Sequence, residues 1–198
     1  LPYQSHELIT GYQHIENDLE GYAQIEAIIV NKEGIERYLN IFKVLKANVQ
    51  SIVLSSYGVA KLFALKTAQE PAPTLILNID VRQAEIIIQR YGKVLFSRTF
   101  KVLMTQPHWE NLFLNELDKT KDAYLKDTGK VTPIKIFVTG YQKGLSKIKE
   151  LLVRHGGLPV ETIPCIDFIH AEQPLRTQFT EAEGSFASLL GLGLTPIE

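Results

Sequence analysis

The stretch LILNIDVRQAEIIIQRYGKVLFSRTF, Leu75 to Phe100, holds the residues best placed to do chemistry. An apolar strand runs into Asp80, and a carboxylate at a strand end can orient the water shell of a Mg²⁺ ion. A hairpin that cradles phosphate with its backbone N–H groups would place glycine just after it, because any Cβ holds the backbone away. Arg82 stands there instead. Its guanidinium could bind a phosphate directly. The plainer reading is a turn in which Asp80 caps backbone N–H groups and Arg82 is solvated.

Other candidates are weaker. Cys165 precedes His170 by five residues, but no orienting partner or oxyanion loop is legible, so a core or loop thiol is expected. His6 and His14 lie near Glu7 and Glu16, at a spacing that does not define convergent metal ligands. His155 closes a helix, where a cation suits the dipole. Trp109 reads as core or interface.

These residues need elements to hold them. Ala23–Val30 (AQIEAIIV) and Val49–Ser55 (VQSIVLS) have strand composition. Between them, Lys32–Ala47 has helical spacing, with Ile35, Tyr38, Leu39, Phe42 and Leu45 on one face and Asn48 as a left-handed stop. A helix is expected over Gly58–Thr67, and QEPAP, residues 69–73, reads as the linker. Thr74–Ile79, Ala84–Arg90 and Val94–Phe100 then form a meander whose second bend, Tyr91-Gly92-Lys93, carries the glycine of a tight hairpin. Helices over Trp109–Lys126 and Leu145–His155 alternate with strands Ile134–Thr139 and Leu158–Ile163. After a long connection, residues 165–179, a Ser/Thr-x-x-Glu capping box at Thr180 and Glu183 opens a terminal helix rich in small residues, among them Gly184, Ala187 and Gly191. Residues 1–20 read as an irregular lead-in.

Composition excludes several classes. The 198 residues carry a net charge of −1, so nothing draws the chain to nucleic acid or to an anionic membrane. A single cysteine forbids an internal disulfide and suits a reducing compartment. No apolar run is long enough to span a bilayer. The first residue is Leu1 rather than methionine, as expected of a fragment or a proteolysed core.

The element order resembles the second half of the actin-like ATPase fold, and the motifs resemble the PilM family of type IV pilus assembly proteins, relatives of cell-division FtsA. Leu1-Pro2-Tyr3 is similar to that family's opening, and residues 23–55 to its inserted strand–helix–strand subdomain. Asn78-Ile79-Asp80 matches the start of its Asp-x-Gly hairpin, and Phe96-Ser97-Arg98 a strand ending in arginine. VTGYQKGLSKIKELL, Val138–Leu152, lies on its Gly-Gly adenosine loop, and LLGLGL, Leu189–Leu194, on its closing segment.

The resemblance implies an α/β chain with a partial actin-like (ribonuclease H-like) fold and an inserted strand–helix–strand subdomain. Residues 1–68 would hold the lead-in, that subdomain and a helix, and residues 74–198 the actin-like domain. It implies a degenerate nucleotide site at Asp80, Arg82, Gly140 and Tyr141. Arg82 replaces one required glycine, Tyr141 the second glycine of the adenosine loop, and the first phosphate hairpin is not in the sequence. No catalytic residue, metal or cofactor is therefore expected, with Mg²⁺ and ATP reserved for a longer chain. The implied role is a scaffold in the cytoplasm, peripheral to the inner membrane, that captures the cytoplasmic tail of a membrane partner. Ala27, Ile28, Ile29 and Val30, a run without charge, are the expected pairing edge or groove wall. A homodimer is left open. The alternatives are an active ATPase or sugar-kinase-like enzyme whose N-terminal phosphate loop lies outside this chain, and a type II secretion platform domain.

Overall fold

The computed structural model describes residues 4–17, 21, 23–80, 82–128, 131–170, 172–173, 176–177 and 186–194. Contacts divide the chain into two compact units, Leu1–Val53 and Leu54–Glu198.

The first unit contains an antiparallel pair, β1 (Leu8–Asn17) and β2 (Ala23–Asn31), and then α1 (Lys32–Val44). Its order is strand–strand–helix, which corrects the expected strand–helix–strand. The lead-in supplies the strand: Ile9, Thr10 and Tyr12 suit a pleated surface once β2 offers a ladder. With β2 paired to β1, residues 49–54 form no strand. No loop separates β2 from α1. Asn31 ends the strand and caps the helix, its side-chain oxygen accepting from the Gly34 N–H at 3.1 Å.

The far end of α1 closes by a Schellman motif. Ala47 N–H donates to Phe42 C=O at 2.9 Å and Lys46 N–H to Lys43 C=O at 3.1 Å. The left-handed residue is Lys46, φ 53°, two positions before the expected Asn48.

The second unit has three layers. Its sheet runs β5-β4-β3-β6-β7, with β3 Thr74–Ile79, β4 Gln83–Arg90, β5 Lys93–Lys101, β6 Ile136–Gly140 and β7 Val160–Thr162. The β3-β4-β5 meander is antiparallel, whereas β6 lies parallel to both β3 and β7. Apolar residues alternate onto both faces, as a doubly covered sheet requires. Leu75, Leu77, Ile86, Ile88 and Val138 pack with Phe113 and Leu117 of α3 (Trp109–Thr128) and Ile148 of α4 (Gln142–His155). On the other face Ile76, Ile87 and Phe137 pack with Val59, Leu62 and Phe63 of α2 (Ser55–Thr67).

That packing moves a boundary. α2 belongs to the sheet unit, so the division falls at Val53/Leu54 and not at residues 69–73. The QEPAP segment is only the short connection from α2 to β3.

Local chemistry explains the tight places. At the β4–β5 bend, Tyr91 (φ 54°) and Gly92 (φ 76°) both lie in the left-handed region, as a type I′ hairpin demands. Beneath it, fully buried Gln89 donates to the hydroxyls of Thr67 (2.8 Å) and Thr74 (2.7 Å) and accepts from Gly92 N–H (2.8 Å). The last helix, α5 (Ala187–Gly193), packs on α2 with Gly58 and Gly191 backbone to backbone, leaving no room for a Cβ at either. Ala187 is buried there, whereas Leu189 is 58% exposed. The capping box Thr180–Glu183, Gly184 and the Leu1-Pro2-Tyr3 opening lie outside the described residues.

Candidate functional site

In the sheet unit the chain leaves β3 toward β4 and β5 on one side, then returns as β6 on the other. The parallel β3/β6 pair is thus where the strand order reverses, and in open α/β sheets ligands bind outside the carboxyl ends of the strands at such a point. Three expected residues meet there. Asp80 follows β3 directly, Gly140 ends β6 opposite Ile79, and Tyr141 is the N-terminal cap residue of α4.

Gly140 has a steric reason to be glycine. Its φ is 122°, and a Cβ would run into the backbone of Ile79. The same close approach lets Tyr141 N–H donate to Ile79 C=O at 2.7 Å. On the β3 side the bend is closed by Asp80 N–H to Gln83 C=O at 2.8 Å, and Arg82 C=O accepts from Val102 N–H at 3.2 Å. Both the Asp80 and Arg82 residues are exposed. These backbone bonds close the bend at the mouth of the switch point.

A buried polar row beside this point was not anticipated. Glu85 on β4 is only 7% exposed, and pairs across the ladder with Asn78 on β3, which pairs in turn with Thr139 on β6. Ser55 Oγ, at the start of α2, donates to Glu85 Oε1 at 2.9 Å, and Asn78 Nδ2 lies 3.4 Å from Oε2. Burial pushes the Glu85 carboxyl up from its ordinary range, and the Ser55 and Asn78 hydrogen bonds only partly oppose this. Asn78 Oδ1 is buried without a partner. The available signal was an Asn and a Glu interrupting apolar runs on the same sheet face.

The remaining candidates stay apart. Cys165 is fully buried, with its thiol 3.3 Å from the Thr139 hydroxyl, while His170 is exposed. His6 and His14 are exposed in the first unit, and among the described residues no group of three His, Cys, Asp or Glu could hold a metal. His155 ends α4 and lies 3.2 Å from the Asp118 carboxylate on α3. Trp109 is core, edge-on to Phe113, with the Lys147 ammonium 4.8 Å from its ring. Of the expected pairing run, Ala27 and Ile29 are exposed, whereas Ile28 and Val30 are half-buried. No described helix is long and apolar enough to cross a membrane.

The layered sheet with its β3/β6 switch point has the actin-like ATPase fold. Over 99% of this chain and 69% of the other, the backbone is similar to a chain of the PilM-PilN type IV pilus biogenesis complex, at TM-score 0.75 and 16% identity. MreB 5 of Spiroplasma citri bound to AMPPNP is similar over 83% of this chain and 64% of its own, at TM-score 0.51 and 14% identity. The chain thus spans roughly two thirds of each of these relatives. No protein-family model and no curated protein matches it.

Proposed function

We propose that the protein is a non-enzymatic actin-like scaffold of a type IV pilus or related secretion apparatus, holding the cytoplasmic tail of an inner-membrane partner. It would work in the cytoplasm, beneath that membrane. The observation that carries this reading is the likeness to the PilM-PilN complex, which runs through both units rather than through the sheet unit alone. Arg82 and Tyr141 support the non-enzymatic part, because a side chain stands at each place where a phosphate or base loop needs bare backbone. An ATPase is the second reading, favoured by Asp80 standing beside Gly140 at the switch point.

Two measurements separate these. Pull-down from the native membrane fraction is expected to return an inner-membrane protein with a short cytoplasmic tail. Thermal-shift titration with MgATP is expected to leave the melting curve unmoved. Saturable MgATP stabilisation that disappears in Asp80→Ala would replace the scaffold with the ATPase.

A further inference from the structure

The connection from β5 to α3 links the two sides of the switch point. It begins at Val102, whose N–H donates to Arg82 C=O in the β3–β4 bend, and ends where Trp109 opens α3. Leu103, Thr105, Gln106, Pro107 and His108 are all exposed along it. Gln106 N–H closes a turn on Leu103 C=O at 2.9 Å, and His108 lies in the left-handed region at φ 59°. The one side chain of residues 103–108 that is half-buried is Met104.

Met104 is the only methionine in the sequence. It packs against the core on the α3/α4 side of the sheet, and its thioether lies on the bare backbone of Gly144 in the first turn of α4. A Cβ at position 144 would stand 2.6 Å from Met104 Sδ and 2.9 Å from Cε, so sulfur and methyl fill the space a side chain would take. Tyr141 caps this same turn. Gly144 N–H already donates to Tyr141 C=O at 3.2 Å, so no donor at Gly144 awaits an oxygen placed on that sulfur.

The two sulfur atoms of the chain differ in access. Cys165 is fully buried, whereas solvent reaches Met104. Hydrogen peroxide oxidises a thioether to the sulfoxide. Sulfur gives up two electrons and forms an S–O bond, the peroxide O–O bond breaks, and the second oxygen leaves as water with both protons. The product is polar, and it disrupts the apolar contacts that the thioether made.

We propose that Met104 is a peroxide-sensitive latch, whose oxidation to the sulfoxide frees residues 103–108 from the first turn of α4 at the mouth of the switch point. Thiol-dependent methionine sulfoxide reductases reverse that oxidation and close the latch again. It operates whether the site belongs to a scaffold or to an ATPase, and its readouts need neither partner nor nucleotide.

The test treats the full folded chain with hydrogen peroxide, followed by peptide mass spectrometry and limited digestion with a broad-specificity protease. One added oxygen is expected at Met104, with Cys165 still reduced. Cleavage within residues 103–108 should then run at least about tenfold faster, since cutting follows the population of the open segment. Amide signals of Tyr141 and Gly144 should move, and methionine sulfoxide reductase with a dithiol should restore slow cutting. Met104→Leu, close to the thioether in volume, should be cut slowly both before and after peroxide. Met104→Gln, polar at the same place, should be cut fast without any peroxide, and unchanged circular dichroism would confirm that both variants fold. A sulfoxide that leaves cleavage and the Gly144 signal unchanged would overturn the latch. So would a Met104 that oxidises only once urea has unfolded the chain, or peroxide-accelerated cutting in Met104→Leu, which would place the damage elsewhere.

Discussion

α1 and α4 are helices of similar length and similar amphipathic pattern, 13 and 14 residues, in different units. α4 buries Leu145, Ile148, Leu151 and Leu152 under the five-stranded sheet. α1 buries nothing, and Tyr38, Ile41, Phe42, Val44 and Leu45 all remain exposed. The contrast extends to the whole units, for every buried residue among those described lies at Ser56 or later. A two-stranded hairpin cannot cover a helix and itself, and such a sheet is marginal in water without further packing. An apolar stripe records that a face needs cover, and only the neighbours decide whether the cover comes from within the chain.

Substitutions can break this contrast, and the largest effect belongs in the sheet unit. Gly140→Val should cost at least about 3 kcal/mol, combining a strained positive φ with a collision against the Ile79 backbone. Gly191→Leu should cost roughly 1–3 kcal/mol by prising α5 from Gly58. Urea midpoints read both, and an α5 variant that melts with the parent would show that α5 contributes nothing to the core.

Glu85→Gln sharpens the comparison through pH. Because burial raises the Glu85 carboxyl above its ordinary value of 4.5, the folded chain keeps the proton to higher pH than the unfolded chain. The group's contribution is full below that ordinary value. As pH rises from there, the unfolded state loses its proton first, and stability falls until the raised folded value is passed. The glutamine variant should lack that decline and should gain on the parent at neutral pH. Parallel stability–pH curves for the two proteins would remove Glu85 as a buried acid.

The smallest effect is expected in the first unit. Val44→Ser removes an apolar side chain that is 82% exposed, so stability should stay within about 0.5 kcal/mol of the parent. A larger loss, seen as a lower urea midpoint, would mean that α1 is covered after all.

The sequence alone determined the meander, because period-two apolar runs, the NID bend and the Tyr-Gly turn are local signals that name their own partners. It determined the fold class too, since strand and helix periods alternate in one order and the short motifs fall at matching places. It located Asp80, Gly140 and Tyr141, though not their meeting, which depends on β6 entering the sheet beside β3 from more than fifty residues away. Pairing between distant segments decided the rest. The lead-in became β1 by pairing with β2, and residues 49–54 of the VQSIVLS run pair with no described strand. Glu85 and Asn78 looked like ordinary breaks in apolar strands until α2 and Ser55 closed over them. Burial and partner choice are properties of surfaces brought together, and a linear pattern states only which surfaces are available.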